Sequence, residues 1–398
     1  MRHRALVLGG VPDVLELARD LGIEVIFFQR AEGMKPELEE LADEIQVAPF
    51  GDDEAMVAQA VEAYGRRPFD CVLSFSELAM IPAAMIGERL SVPGASAVST
   101  ARLLRDKRAM RDRLNSAGLS PVRNCLVHSV DDARAFAETA SYPLILKPRD
   151  GTGSLGVRRV DSAGDLASAV REALAVPGPE FLLEEFLAGP EFSVEAFSFA
   201  GAHRVIAVTE KQITANFVES GHIVPARISD SERAAIVSLV ESFLDLARVS
   251  DGPSHTEVIL SDGVPRIVES HDRLGGDKIF RLVELAYGVS LLSWCYQWPL
   301  RMMTVPAAPA PVAGACIRYL LPEPGQVRSV SVPDSVTTDK HLDHLEIEVS
   351  AGDQIRPLSS SLDRAGFVVA SGPDEQAAIE AAERLAGTIT IETVPVPA

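Results

Sequence analysis

Cysteine is scarce and scattered. Cys71, Cys125, Cys295 and Cys316 are the only four in 398 residues, and none belongs to a CxxC pair. A chain of this length can bury a sizeable core without disulfides, so they read as buried thiols of a reducing compartment. Positive charge is in deficit: 37 Lys and Arg stand against 57 Asp and Glu, a formal net charge of −20. That balance argues against non-specific nucleic-acid binding and against an anionic membrane surface. Long apolar runs are missing as well. No stretch approaches the ~18 apolar residues of a membrane span, and the apolar part of MRHRALVLGG is too short for a signal peptide. The expectation is a cytoplasmic protein with small-molecule partners, no nucleic acid and no membrane. The first strand ends in Gly9-Gly10 rather than GxGxxG, no Walker A GK[ST] is present, and no compelling Ser/His/Asp or Cys/His nucleophile set is found.

What is there is ordinary globular material, 47% hydrophobic and 24% charged, enough for two or three domains. The first hundred residues alternate strand and helix patterns. Strands are predicted at Ala5–Leu8, Val25–Phe28, Ile45–Val47 and Cys71–Phe75, with helices at Val14–Leu21, Pro36–Asp43, Glu54–Tyr64 and Ala79–Leu90. This rhythm predicts a doubly wound parallel sheet, with Gly9-Gly10 as a tight turn at a strand end. Ser76 and Glu77, just past another strand end, are placed to border a ligand. Basic helical residues follow at 99–118, then a small α/β unit to Glu185, long strands through Val208, a helix at Ser231–Ala247 and an apolar helix from Lys278 to about Trp294. The Pro/Ala run Thr304–Val312 reads as an extended linker.

The most informative stretch is Thr256–Asp277, TEVILSDGVPRIVESHDRLGGD. Asp262-Gly263 between apolar runs signals a β-hairpin. Side chains two apart in a strand share a face, so Glu269, His271 and Arg273 point one way. A three-residue loop would set Glu257 opposite Glu269; a two-residue loop would turn the carboxylates apart unless a bulge intervenes. Facing carboxylates beside an arginine suit a divalent cation and an anionic reacting group.

Three further constellations carry chemistry. Lys147 ends an apolar strand before the loop Asp150–Gly156, where Gly151, Gly153, Ser154 and Gly156 would let backbone N–H groups approach phosphate. Glu184 and Glu185 end a strand, and after a turn through Leu187 the next strand opens at Glu191; such acceptors suit an adenine amine and a ribose diol. Lys107 lies on a basic helix.

In this order the elements resemble the ATP-grasp superfamily. Thr209-Glu210-Lys211, Phe217–His222 and Arg273–Asp277 further resemble its L-amino-acid ligase branch, which joins amino acids into dipeptides. The resemblance implies an α/β and α+β architecture: an N-terminal doubly wound parallel α/β domain (1–98), a central ATP-grasp domain (99–303, lid about 120–186), the linker (304–312) and a small C-terminal α+β module (313–398). It implies that ATP is held by Lys107, Lys147, Lys211, the glycine loop, Glu184, Glu185, Leu187 and Glu191. It further implies two Mg²⁺ ions, with Mn²⁺ as an alternative, on Glu257, Glu269 and His271. The family usually has asparagine at the position of His271. Imidazole is a poorer Mg²⁺ ligand than an amide oxygen, so His271 ligates a softer ion, reaches the metal through water, faces substrate, or packs beside the site without ligating.

The implied activity is a carboxylate–amine ligase working through an acyl phosphate and releasing ADP and phosphate. Arg273 and Lys147 would be catalytic, and Glu219, His222, Arg273, Gly275 and Gly276 would contact amino-acid or other carboxylate and amine substrates. Alternatives are a specialised-metabolism ligase using an unusual amino acid or another nucleophile, or an ATP-binding regulatory protein of weak turnover. A homodimer is compatible with the resemblance.

Overall fold

The structure, a computed structural model, describes residues 2–150, 155–178 and 180–395. The N-terminal segment forms a four-stranded parallel sheet in the order Glu44–Val47, Glu24–Gln29, Arg4–Leu8, Cys71–Ser74. All five residues of the Arg4–Leu8 strand are buried, as expected of a central parallel strand with helices on both faces. Gly9 (φ +66°) lies against Ser76, whose Cβ would stand 2.7 Å from a Cβ at Gly9; only glycine permits this close approach of two strand ends.

Two helices, Val98–Arg105 and Lys107–Ser116, follow, divided at Asp106, which caps the second by accepting from the Arg108 and Ala109 N–H groups. A four-stranded antiparallel sheet comes next, in the order Asn124–Val127, Phe181–Glu185, Leu144–Pro148, Arg158–Val160.

An eight-stranded sheet dominates the rest. Its order is Val264–His271, Gly252–Ser261, Glu191–Phe199, Ala202–Ile213, Glu219–Val224, Gly314–Tyr319, Gly366–Gly372, Leu342–Ile347. Alternation divides its first four strands into two faces. Phe192, Val194, Ala196, Val208, Val258, Leu260 and Ile267 pack against Ile236, Leu239, Val240, Phe243 and Leu244 of the helix Asp230–Ala247. That helix starts at a capping box, Ser229 with Glu232. The opposite face carries the polar residues of the site.

The apolar helix expected from Lys278 to about Trp294 is in fact two, Ile279–Tyr287 and Leu291–Gln297, bent by 99°. Gly288 at φ +68° ends the first and the Ser290 side chain caps the second; hydrophobic periodicity alone did not register this break. Among the described residues no single helix is long and apolar enough to cross a membrane. The C-terminal segment does not stand apart: three of its strands extend the eight-stranded sheet, and a separate three-stranded sheet, Gln354–Ile355, Gly325–Ser331, Thr390–Val394, flanks it.

Candidate active site

The hairpin sets the site. Its turn is two residues long, Asp262 (φ +50°) and Gly263 (φ +76°), with Ser261 opposite Val264. A bulge between Glu257 and Val258 then shifts the register, so that Glu257 stands opposite Glu269 and His255 opposite His271. The two-residue turn and the facing carboxylates are reconciled by that one extra residue. Cross-strand pairing carries the polar row onward: Glu257 opposes Ser193, His255 opposes Glu195, Lys211 opposes Glu191 on one side and His222 on the other.

Four carboxylates therefore converge on two lysines. Lys211 Nζ lies 2.6 Å from Glu191, 2.8 Å from Glu257 and 3.4 Å from Glu219, and Lys107 Nζ lies 2.8 Å from Glu269. Burial alone would lower the Lys211 pKa, but Glu191, Glu257 and Glu219 hold the ammonium well above its ordinary value. Burial would raise Glu257 too, yet the Lys211 ammonium, ahead of His255, brings it down to about 2. Glu269, against burial, is held well below the carboxylate range, first by Lys107. Glu191 goes the other way: burial raises it, and one ammonium shared by three carboxylates does not compensate. Four carboxylates less two ammoniums leave two negative charges at this spot.

A second ion cluster lies on the neighbouring sheet. Glu184 is 5% exposed and is held by Lys147 Nζ at 2.6 Å and by Arg111 Nε at 3.1 Å. Although burial raises its pKa, Lys147 and then Arg111 keep the carboxyl below its ordinary range. Arg111 also donates to the Ile267 carbonyl at 2.7 Å, tying this cluster to the hairpin. Glu185 turns to Arg123, whose N–H donates to it at 3.0 Å. Between the two clusters runs a cavity whose walls include Ile145, Lys147, Phe186, Leu187, Glu191 and Glu269. Gly156 (φ +80°) packs on Pro148 near its rim. Gly151, Gly153 and Ser154 lie outside the described residues.

At the far end of the hairpin, His271 is 3% exposed and its Nε2 lies 3.3 Å from Glu269. Its Nδ1 faces Glu77 at 3.7 Å. Arg273 donates to Glu77 at 2.8 Å, and Arg105 also pairs with Glu77. Burial raises the Glu77 carboxyl, but His271 and Arg273 hold it below its usual value. His222 Nε2 meets Asp277 at 3.0 Å, and Arg364 grips the same carboxylate at 2.9 and 2.7 Å. The two glycines differ. A Cβ at Gly275 would stand 2.8 Å from His255 Nδ1 and 3.0 Å from Glu195, whereas one at Gly276 meets nothing within 4 Å.

The chain matches three family profiles: ATP-grasp N-terminal domain over residues 15–94, ATP-grasp domain over 140–279, and L-amino acid ligase C-terminal domain 2 over 318–394. The chain is an ATP-grasp protein. The crystal structure of L-amino acid ligase from Bacillus licheniformis superposes on it with a TM-score of 0.86 at 25% identity, covering 99% of both chains. Alanine–anticapsin ligase of Bacillus subtilis (strain 168) is 28% identical over 263 residues, 60% of this chain and 56% of that protein. D-alanine–D-alanine ligase of Flavobacterium psychrophilum is 29% identical over 154 residues, 37% of this chain and 46% of that protein. The ATP-grasp chain thus spans about half the length of the curated relatives it matches.

Sequence reasoning missed three contributors to this ATP-grasp site. Arg111 lies four residues after Lys107 on one helix face, a spacing visible in the chain. His255 lies two before Glu257, hence on the same strand face. It is 5% exposed and bonded to Glu195 at 2.8 Å, which in turn accepts from Ser193 Oγ at 2.9 Å. Burial would lower His255, but Glu195 raises it to about 9. Arg364 comes from the C-terminal segment and has no local signal at all.

Proposed function

We propose that this ATP-grasp protein is an ATP-dependent carboxylate–amine ligase that forms an amide, a dipeptide or close analogue, by way of an acyl phosphate. The carrying observation is the pairing of Glu257 with Glu269, with Lys107 and Lys211 on them and Arg273 beyond. ATP-grasp ligases in general use ATP with divalent metal ions, and the residues here fit such an ion. Two hard carboxylates, each with a lysine at 2.8 Å, face each other beside Glu191 and Glu219, the kind of donor set Mg²⁺ takes together with phosphate oxygens and water. Among the described residues no group of three or more His, Cys, Asp or Glu side chains is arranged to hold a metal ion, so His271 does not complete a three-residue set with Glu257 and Glu269. Bound there, Mg²⁺ or Mn²⁺ would neutralise the β- and γ-phosphate oxygens. His271 supports Glu269 through Nε2 in the resting site.

The other residues take roles from their positions. Lys147 and Lys107 border the cavity as point charges for the α- and β-phosphates, with Lys211 beside Glu257 at the γ-phosphate end. Glu184 is committed to Lys147 and Arg111, so adenine recognition falls to the backbone beside Phe186 and Leu187. Glu191 is placed for the ribose hydroxyls. The glycine loop would close over the phosphates and exclude water, which an acyl phosphate requires. A substrate carboxylate oxygen attacks the γ-phosphorus and ADP leaves. The amine nitrogen then attacks the acyl carbon, phosphate leaves, and the nitrogen loses its proton. Arg273 would stabilise both the acyl phosphate and the oxyanion. Glu219 and His222 face the substrate ammonium and carboxylate from the neighbouring strand.

Phosphate release from ATP over a panel of amino-acid pairs, with mass detection of the amide, tests this reading. Nucleotide binding with no release on any pair would instead mark a regulatory protein. A phosphorylated product without an amide would mark a kinase.

A further inference from the structure

Beyond Arg273 the site opens into a cavity of about 510 Å³, walled by three distant parts of the chain. Its inner wall is apolar, with Phe75, Phe280, Leu292 and Phe367. Its cations are already committed. Arg273 pairs with Glu77 at 2.8 Å, and Lys278 with Asp13 at 3.1 Å. Arg364 grips Asp277 at 2.7 Å while lying 3.6 Å over the Tyr319 ring. Two carboxylates at the outer wall, Glu346 and Glu348, are different. Glu346 lies on the strand Leu342–Ile347 and Glu348 just past its end, and both line the same cavity. Among the described residues neither has a lysine or arginine partner; Glu346 has only His344 at 3.6 Å. Burial, then Glu346, hold the Glu348 carboxyl above its ordinary value, outweighing the opposing pull of Arg364 and Lys35, neither of which forms an ion pair with it.

We infer that this cavity selects an amino acid with a long cationic side chain, its methylenes on Phe75, Phe280 and Phe367 and its charged head at Glu346 and Glu348. The inference rests on the ligase reading of the adjoining centre. The physical reason is a match of polarities. A largely buried apolar wall beside two exposed carboxylates suits a flexible apolar stem that ends in a cation. A neutral side chain leaves both carboxylates without a partner, and an anionic one is repelled.

The test is titration calorimetry of arginine and of its neutral isostere citrulline, with Mg²⁺ and a non-hydrolysable ATP analogue present. Phosphate release with each, paired with alanine, is measured in parallel. Arginine should bind about tenfold more tightly than citrulline, and Glu346→Gln/Glu348→Gln should cut that ratio below about threefold. The charge-reversed pair Glu346→Lys/Glu348→Lys should turn the preference toward glutamate. Equal binding of arginine and citrulline by the unaltered protein, or a ratio untouched in both double variants, overturns the inference. The two readings fail separately. Efficient release with citrulline as with arginine would leave the ligase standing and remove the cationic preference. Arginine-selective binding erased by the double variant, with no release on any pair, would do the reverse.

Discussion

The two ends of the site are built by opposite means. The nucleotide end is a row of side chains on neighbouring strands of one sheet, where pairing itself brings Glu257 to Glu269 and Lys211 to Glu191. The end proposed for the amino acid draws on other parts of the fold as well as on that sheet. Glu77 comes from the parallel sheet, Arg273 and Asp277 from the loop after the hairpin, and Tyr319, Glu346, Glu348 and Arg364 from the C-terminal segment. Charges at the first end are tightly shared among carboxylates and lysines; at the second they are sorted into separate pairs with two acids left over. A row of paired strands positions groups rigidly, which phosphoryl transfer needs. A wall assembled from several separate stretches of chain can vary at single positions without disturbing that row, which suits substrate choice.

The comparison is broken or sharpened by substitution at each end. Glu269→Gln should have the largest effect, a loss of metal-dependent phosphate release of about 10³-fold or more; near-normal turnover would remove the metal assignment from the nucleotide end. Arg273→Ala should lower amide formation by about 10²- to 10³-fold while nucleotide affinity, read by calorimetry, stays nearly intact. Loss of ATP affinity as its main effect would move Arg273 to the nucleotide end. Gly275→Ala should disturb the His255–Glu195 pair and reduce both stability and turnover, whereas Gly276→Ala, with space for its methyl, should leave the melting temperature unchanged and act on substrate KM.

Asp277 gives a pH signature confined to the amino-acid end. Burial raises its carboxyl, but His222 and Arg364 hold it well below its ordinary value of 3.8. A depressed acid stabilises the fold fully above its unfolded pKa, and that contribution fades as pH falls below it. Denaturant unfolding between about pH 4 and 2 should therefore show a steeper loss for the unaltered protein than for Asp277→Asn; parallel curves would show that the clamp does not bear on stability. The smallest effect belongs to Ser229→Ala. Loss of its cap on the supporting helix should cost about 1 kcal/mol and leave the relative activity at both ends unchanged.

Legibility in the chain follows the same division. The βαβ rhythm, the hairpin and the order of Lys107, Lys147, Glu184, Glu191, Lys211, Glu257 and Glu269 could be read directly, because local periodicity and turn chemistry record strands and their faces. The facing of Glu257 and Glu269 could be stated only as a condition, a longer turn or a bulge, since a bulge leaves no reliable mark in sequence. Glu77 was noted only as a strand-end residue bordering a ligand. That it receives Arg105 and Arg273 follows from how the N-terminal sheet docks. The bend between Ile279–Tyr287 and Leu291–Gln297 was lost because both halves are apolar and only Gly288 marks the break.

By itself, the sequence determined the order of elements, the polar face of the central strands and the residues that the resemblance assigns to phosphate and metal, since side-chain period and turn residues act over a few positions. Only the tertiary structure decided which carboxylates share Lys211, that Glu184 is taken by Lys147 and Arg111, and that Asp277, Arg364, Glu346 and Glu348 wall one cavity. Those facts depend on contacts between residues up to several hundred positions apart. No local preference encodes such contacts, and packing of the sheets on one another alone sets them.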